Sequence, residues 1–183
     1  PHIMFEFFKN TPEIIESGLK EVKAELQRQN ISVELEAAAE YYLDDHFIEM
    51  LEKGERLLTF GDNHLLLETN YIQEHPRLKQ TFFDLKLAGY KPVFAHPERY
   101  LYLNKPKYRQ MHELFESEVL FQVNLLSFTG YYGNQIKSTA EYMHKEGMIH
   151  ILGSDIHKIQ QAAILNKFKR TKGFEKLMGE EVL

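Results

Sequence analysis

Four apolar stretches of this chain end abruptly in side chains that can hold a metal ion or an anion. Leu65-Leu66-Leu67 ends in Glu68, 35–39 ends in Glu40, 92–95 leads into His96-Pro97-Glu98-Arg99, and 149–153 leads to Asp155 and His157. The carboxyl ends of parallel strands meet at one edge of a sheet or at one mouth of a barrel. The recurrence therefore favours a fold that gathers several strand ends around one cleft.

Helical and extended signals alternate along the chain. Asn10 or Thr11 caps a helix that has Pro12 in its first turn and is expected to reach about Gln29. Strands are predicted near 33–39, 57–60, 64–68, 92–95, 119–123 and 148–152, and helices near 43–53, 76–89, 105–116, 134–146 and from 159 into the 170s. This order predicts right-handed crossovers and a mostly parallel sheet, either doubly wound or closed into a barrel. Ligands on four or more strands favour the barrel.

Composition narrows the class of protein. The 183 residues are 43% hydrophobic, enough for one core, so residues 1–183 are predicted to form a single domain. A net charge of −5 argues against nucleic acid and anionic membranes as partners. The absence of cysteine excludes a thiolate nucleophile and sulfur-ligated metal, and is compatible with the cytoplasm. Because no apolar run approaches the roughly 20 residues of a membrane span, no membrane insertion is expected.

The residues at the strand ends have a defined chemistry. Asp155 and His157 are two positions apart, and in extended backbone such residues point the same way. Carboxylates mixed with imidazoles suit Mn, Fe, Zn or Mg. Two such metals can polarise a phosphoryl group and generate a hydroxide nucleophile at neutral pH. Arg99 adds a planar fork that can bind phosphate in a bidentate way.

Each motif also has an explanation without function. An Asp-x-His sequence occurs by chance in many proteins, Glu98 and Arg99 can pair with each other on the surface, and Glu68 can mark the point where a strand meets solvent. The joint placement of these residues at strand ends is what the alternative explanations leave out.

Several short motifs occur together in this chain, namely Pro1-His2, Glu40, Leu67-Glu68, Ala95-His96-Pro97-Glu98-Arg99, Ser127-Phe128-Thr129-Gly130 with Gly133, and Ser154-Asp155-Ile156-His157. Their combination resembles the bacterial tyrosine-protein phosphatases of capsule and exopolysaccharide biosynthesis. These belong to the polymerase and histidinol phosphatase (PHP) superfamily. The resemblance covers the whole chain in order. It implies a distorted, TIM-like (β/α)7 barrel of the PHP type and a cluster of up to three divalent metals with Mn²⁺ favoured. Because the sequence has neither cysteine nor a phospho-acceptor motif, we expect metal-assisted hydrolysis without a covalent phosphoenzyme.

The resemblance also implies roles for particular residues. The expected metal ligands are His2, Glu40, Glu68, His96, Asp155 and His157, with Glu68 as the bridging carboxylate. Arg99 is expected to act in catalysis by binding phosphate, and Lys158 and Tyr131 are expected to contact the substrate. Tyr100, Tyr102 and Tyr132 also lie next to the motifs and can flank an aromatic substrate.

Two departures from the family pattern stand out. The family opens with a strand that carries His-x-His, whereas this sequence starts at Pro1-His2. The chain is therefore expected to begin in mid-domain and to be N-terminally incomplete. We also expect it to hold fewer metals and to have open strand edges that can pair with a second copy. The family also commonly has an Arg several residues after Asp-x-His, where this chain offers only Lys158.

The resulting functional prediction is a cytoplasmic, metal-dependent protein-tyrosine phosphatase. Its expected partner is a phosphotyrosine-bearing bacterial tyrosine kinase that controls capsule or exopolysaccharide synthesis. Two alternatives stay open: a PHP-type phosphatase that acts on a small phosphate monoester such as histidinol phosphate, and a non-catalytic regulator that binds the kinase.

Overall fold

The structure, a computed structural model, describes residues 1–104 and 108–179. These residues fall into two compact units. Unit 1 contains Pro1–Asn70 and Glu74–Val93, and unit 2 contains Tyr71–Gln73 and the described residues from Phe94 onward. The boundary between the units lies inside one strand, Lys91–Ala95.

Unit 1 alternates short parallel strands with helices. Its elements are β1 (His2–Ile3), α1 (Pro12–Arg28), β2 (Glu40–Tyr42), α2 (Asp45–Glu52), β3 (His64–Glu68), α3 (Leu78–Leu87) and the first residues of β4 (Lys91–Ala95). In the parallel register, His2 lies opposite Glu40, and Tyr42 lies opposite Glu68. The pairing therefore brings three predicted metal ligands onto adjacent strands.

Unit 2 continues the same pattern. After the end of β4 come two 3₁₀ turns, Pro97–Arg99 and Leu101–Asn104, then α4 (Arg109–Glu116), β5 (Leu120–Asn124), α5 (Leu125–Phe128), α6 (Asn134–Lys145), β6 (Ile151–Gly153), α7 (Ile159–Phe168) and α8 (Lys172–Met178). Strands β5 and β6 pair in parallel, with Asn124 opposite Gly153. The prediction of an α/β fold with parallel strands is confirmed, and residues 1–104 and 108–179 contain six strands.

Local signals explain where the first helix begins. Thr11 is the cap residue, with an extended backbone, and its hydroxyl oxygen accepts a hydrogen bond from the backbone N–H of Ile14 at 3.4 Å. Pro12 follows in the first turn, where its missing N–H costs nothing. The helix ends at Arg28, one residue before the predicted end.

Two predicted strands are wrong. Residues 33–39 are irregular, and pairing with the short β1 begins only at Glu40, while Val33 is 58% exposed. Residues 57–60 form only a single bridge, Phe60 to His64. Leu58 is buried there, but its N–H donates to the Tyr41 hydroxyl at 2.8 Å instead of to a neighbouring strand. The predicted start of α4 near Lys105 lies outside the described residues.

Each unit has its own apolar core. In unit 1, Tyr41 is fully buried and its ring lies 5.2 Å from that of Phe47. In unit 2, Phe94 stacks on Tyr100 at 4.8 Å and contacts Phe121 edge-on at 6.4 Å. These cores hold the strands whose ends carry the predicted ligands.

Tyr41→Phe tests the side-chain anchor in unit 1. The change leaves the ring in place but removes the acceptor of the buried Leu58 N–H. We expect the free energy of unfolding to fall by about 1–3 kcal/mol, the cost of a buried donor without a partner. Urea unfolding monitored by circular dichroism measures this, with Tyr90→Phe as the matched control. An unchanged midpoint would contradict the prediction.

Candidate functional site

Three predicted ligands of unit 1 lie together in space. His2, Glu40 and Glu68 each offer one ligand atom, and these atoms all lie within 4.8 Å of one another. His2 Nδ1 is 2.9 Å from Glu68 Oε1 and 3.6 Å from Glu40 Oε2. Glu68 is almost fully buried, and the other two side chains are partly buried. The parallel register of β1, β2 and β3 thus places one imidazole and two carboxylates at a single point.

The backbone and charge around His2 fit a ligand role. Its ring stacks on Phe8 at 5.3 Å between centroids, and its carbonyl oxygen accepts a hydrogen bond from Asn10 Nδ2 at 2.8 Å. The hydrogen bond to Glu68 and the negative charges of Glu40 and Glu68 raise the pKa of His2, against the opposing effect of burial. Two carboxylates therefore create a field that attracts a cation. The donor set of nitrogen and oxygen without sulfur suits a borderline or hard divalent metal.

Unit 2 contains a second polar cluster, centred on the Asp155 carboxylate. Its Oδ2 atom accepts hydrogen bonds from Asn124 Nδ2 at 2.7 Å, from Arg99 Nη1 at 3.1 Å and from the Tyr132 hydroxyl at 3.4 Å. Its Oδ1 atom lies 3.2 Å from His157 Nδ1. The structure therefore brings three predicted site residues, Arg99, Asp155 and His157, into direct contact.

The backbone at two predicted ligands is left-handed. His96 has φ 36° and precedes Pro97, and Asp155 has φ 47°. Such conformations are uncommon for residues other than glycine and cluster at functional sites. The prediction that Asp155 and His157 share a direction because of extended backbone is therefore wrong in its reason, although the two side chains do meet.

His96 occupies a buried position at the end of β4. It is 2% exposed, its N–H donates to Gln122 O at 2.7 Å, and its ring lies 5.7 Å from those of Tyr71 and Tyr100. The convergence of His96 with Asp155 and His157 on one metal stays a prediction.

Two aromatic rings hold the Arg99 side chain. The guanidinium carbon lies 4.6 Å from the centroid of Tyr71 and 4.4 Å from that of Tyr132. Cation–π contacts of this kind orient a guanidinium and leave its N–H edge for acceptors in the same plane. Burial, and after it the negative charge of Asp155, raise the pKa of Tyr132 to about 12. Tyr132 therefore stays a neutral hydroxyl donor at physiological pH.

Glu98 does not pair with Arg99 on the surface, contrary to the simpler explanation of that motif. It is fully buried, and its Oε1 atom accepts hydrogen bonds from the Asn124 N–H at 3.0 Å and from Ser127 Oγ at 2.6 Å. Burial raises the pKa of Glu98. The residue connects the end of β5 to the 3₁₀ turn that carries Arg99.

The remaining predicted residues lie nearer to the surface. Tyr131 is 43% exposed and meets Tyr132 edge-on at 4.9 Å, beside the Arg99 stack. Lys158 is exposed at the start of α7, and its backbone N–H donates to Gln161 Oε1 at 2.8 Å. Tyr100 is fully buried in the core of unit 2, so it is not available to flank a substrate.

Sequence reasoning missed several residues that support these side chains, namely Tyr71, Gln122, Asn124, Ser127 and Gln161. Three of them left a signal. Gln122 and Asn124 interrupt an apolar strand with amides at alternate positions, and Gln161 stands three residues after the Lys158 cap, the spacing of a capping box. Tyr71 had no such signal, because its contact with Arg99 joins residues far apart in sequence.

No helix among the described residues combines the length and the apolar character needed to cross a bilayer.

The family model for capsular polysaccharide synthesis, CpsB/CapC, matches residues 1–182. The chain belongs to the CpsB/CapC family. The predicted resemblance to the tyrosine-protein phosphatases of capsule biosynthesis is thus confirmed at the level of the family.

Curated relatives with significant similarity have names of the same kind. The chain is 27% identical over 170 residues to the "putative tyrosine-protein phosphatase CapC" of Staphylococcus aureus, covering 91% of this chain and 65% of that protein. It is 26% identical over 160 residues to the tyrosine-protein phosphatase YwqE of Bacillus subtilis (strain 168), covering 87% of this chain and 63% of YwqE. It is 28% identical over 130 residues to CpsB of Streptococcus pneumoniae, covering 66% of this chain and 51% of CpsB. The chain thus spans less than two thirds of the length of these relatives.

A solved structure supports the fold. It comes from work on YwqE of Bacillus subtilis and CpsB of Streptococcus pneumoniae, described there as metal-dependent tyrosine phosphatases. The TM-score is 0.79 at 25% identity, over 98% of this chain and 75% of the other. The α/β arrangement predicted from the sequence is therefore shared with proteins described as metal-dependent.

Proposed function

We propose that this protein is a metal-dependent protein-tyrosine phosphatase that hydrolyses phosphotyrosine on a bacterial tyrosine kinase of capsule or exopolysaccharide synthesis. The observation that carries the proposal is the group of His2, Glu40 and Glu68 ligand atoms within 4.8 Å of one another, in a chain of the CpsB/CapC family. The names of the relatives supply the reaction and the substrate class. A cytoplasmic location and the kinase partner rest on the family resemblance.

The metal ligands of the proposal are His2, Glu40, Glu68, His96, Asp155 and His157, and Mn²⁺ is the favoured ion, with Fe, Zn and Mg as the alternatives. A bound divalent metal supplies Lewis acidity toward a phosphoryl oxygen and lowers the pKa of water. The same resemblance leads us to propose a distorted (β/α)7 barrel of the PHP type as the fold.

Arg99 is the proposed phosphate-binding residue. Its guanidinium is held between Tyr71 and Tyr132, so its position is restricted before any substrate arrives. A planar fork of N–H donors matches the oxygens of a phosphoryl group and stabilises the charge that develops on them. The proposed substrate contacts are Tyr131, which is exposed beside Tyr132, and Lys158 at the start of α7.

A substrate panel tests the function. Hydrolysis of a phosphotyrosine peptide, a phosphoserine peptide, histidinol phosphate and p-nitrophenyl phosphate is measured with the protein that carries this sequence, before and after chelation and Mn²⁺ addition. We expect Mn²⁺-dependent release of phosphate from the phosphotyrosine peptide in preference to the other natural esters. Preference for the small monoester favours the small-molecule phosphatase, and kinase binding without any turnover favours the non-catalytic regulator.

Arg99→Lys tests the phosphate site. An ammonium keeps the charge but does not reproduce the planar fork, so we expect kcat/KM for the phosphotyrosine peptide to fall by about 10²-fold. Metal per chain, measured by mass spectrometry at saturating Mn²⁺, should stay at the wild-type value, because Asn124 and Tyr132 still donate to Asp155 Oδ2. Arg109→Lys is the matched control, because Arg109 is exposed and forms an ion pair with its helical neighbour Glu113, at 3.5 Å. Wild-type turnover in Arg99→Lys would remove Arg99 from the site.

A further inference from the structure

Strand β5 ends in two side-chain amides that point toward Asp155. Gln122 and Asn124 are two positions apart, so they lie on the same face of the strand. Gln122 Nε2 donates to Asn124 Oδ1 at 2.8 Å, and Asn124 Nδ2 donates to Asp155 Oδ2 at 2.7 Å. Both amides are buried, with 8% and 0% of their surface exposed. The three side chains form one continuous row of hydrogen bonds.

The direction of this row follows from chemistry. A carboxylate can only accept hydrogen bonds, so Asn124 must turn its NH₂ group toward Asp155. The Asn124 carbonyl oxygen must then face Gln122, which in turn has to present its own NH₂ group. The reverse orientation of either amide would set two oxygens against each other. Gln122 and Asp155 therefore favour the same orientation of Asn124, with its NH₂ group toward Asp155.

Gly153 makes the space that this row needs. It lies on the neighbouring strand β6, and a Cβ atom added there would lie 2.2 Å from Gln122 Nε2 and 2.8 Å from Gln122 Cδ. The three nearest atoms all belong to the Gln122 side chain, so a larger residue would displace the end of Gln122 rather than the backbone. The glycine before the Ser-Asp-x-His motif thus accommodates the amide row.

The two carboxylate oxygens of Asp155 have different neighbours. Oδ2 receives the Asn124, Arg99 and Tyr132 donors, whereas Oδ1 lies beside His157. The Asn124 backbone is itself anchored, because its N–H donates to the buried Glu98. Holding Oδ2 in this way fixes the rotation of the carboxylate and the direction of Oδ1.

We propose that Gln122 and Asn124 are positioning residues that orient Asp155 for metal binding through Oδ1, with Gly153 providing the room for Gln122. The role rests on the proposed function in taking Asp155 as a metal ligand. Partners of ligating carboxylates commonly contribute 10–100-fold, roughly, to metal affinity.

Gln122→Glu gives the sharpest test, because the charge that it adds and the hydrogen bonds that it disrupts predict opposite changes in metal affinity. An added negative charge near a cation site would by itself tighten metal binding. The amide row predicts the opposite, since a carboxylate facing Asn124 draws the NH₂ group away from Asp155 and turns an oxygen toward it. We expect the Mn²⁺ dissociation constant, measured by calorimetry at pH 8, to rise about 10–100-fold. Gln27→Glu on the exposed face of α1 is the matched control and should bind Mn²⁺ as the wild type does.

Gly153→Ala and Gln122→Met approach the same row without adding charge. Both should weaken Mn²⁺ binding, and Gln122→Met should weaken it less than Gln122→Glu, because it removes the donor without inverting Asn124. Thermal melting without metal reports folding separately. Unchanged or tighter Mn²⁺ binding in folded Gln122→Glu overturns the proposal, and if that variant does not fold, wild-type binding in Gly153→Ala overturns it.

The failure of the positioning role and the failure of the proposed function give different results. A wild type that hydrolyses phosphotyrosine while the variants bind Mn²⁺ normally contradicts only the positioning role of Gln122 and Asn124. A wild type that binds Mn²⁺, loses it in the variants, and hydrolyses no phosphate ester contradicts only the phosphatase. A wild type that binds no Mn²⁺ contradicts both.

Discussion

Glu68→Gln is expected to abolish metal-dependent activity while leaving the fold intact. The substitution keeps the size of the side chain and retains an oxygen that can accept the hydrogen bond from His2 Nδ1, now 2.9 Å away. It removes one of the two negative charges that face the His2 imidazole. Since partners of ligands already contribute roughly 10–100-fold to metal affinity, the loss of a ligating charge should exceed about 10²-fold.

Metal content by mass spectrometry and Mn²⁺ affinity by calorimetry measure this loss directly, and phosphotyrosine turnover should fall in parallel. Glu49→Gln provides the matched control, because Glu49 is exposed on α2 and its ion pair with the exposed Lys53, at 3.1 Å, is a surface pair. Wild-type metal affinity in Glu68→Gln would show that the His2, Glu40 and Glu68 cluster is not a metal site.

The sequence predicted the strand-end cluster because the chemistry and the periodicity agreed. Each apolar stretch was short, and each ended in a residue type that ligates metal. The parallel register then brings the ligands onto adjacent strands, because it sets His2 opposite Glu40 and Tyr42 opposite Glu68. The strand-end pattern alone pointed to Glu40 and Glu68, whereas His2 was expected as a ligand only from the family resemblance.

The boundaries of strands were harder to predict, because a strand requires a partner as well as propensity. Residues 33–36 alternate apolar and acidic side chains and 37–39 are alanines, yet β1 offers only two residues to pair with. Leu57 and Leu58 are buried, but a side chain, Tyr41, satisfies the Leu58 N–H. Burial alone therefore does not distinguish a strand from an anchored loop.

The surroundings of Arg99 could not be read from the sequence either. Tyr71 reaches it from a distant segment of the chain, and no local pattern links the two residues. The left-handed backbone at Asp155 also follows from tertiary context rather than from propensity. The sequence pointed to Arg99 and Asp155, but not to the residues that hold these two side chains in place.

Among the residues that hold the Arg99 and Asp155 side chains in place, Glu98 is the one whose replacement we expect to lower stability most. Glu98→Leu removes the acceptor of the buried Asn124 N–H and of the Ser127 hydroxyl. Each buried donor left without a partner costs about 1–3 kcal/mol, so the free energy of unfolding should fall by about 2–6 kcal/mol. Urea unfolding without added metal measures the change.

Glu98→Gln separates hydrogen bonding from charge. The amide retains an oxygen for both donors and no longer places an ionisable carboxyl in a buried position, where burial raises its pKa. We therefore expect Glu98→Gln to keep most of the stability that Glu98→Leu loses. Glu141→Leu and Glu141→Gln, on the exposed face of α6, are the matched pair and should each stay within about 0.5 kcal/mol of the wild type. Equal losses in Glu98→Gln and Glu98→Leu would show that the charge, and not the two hydrogen bonds, holds the end of β5 in place.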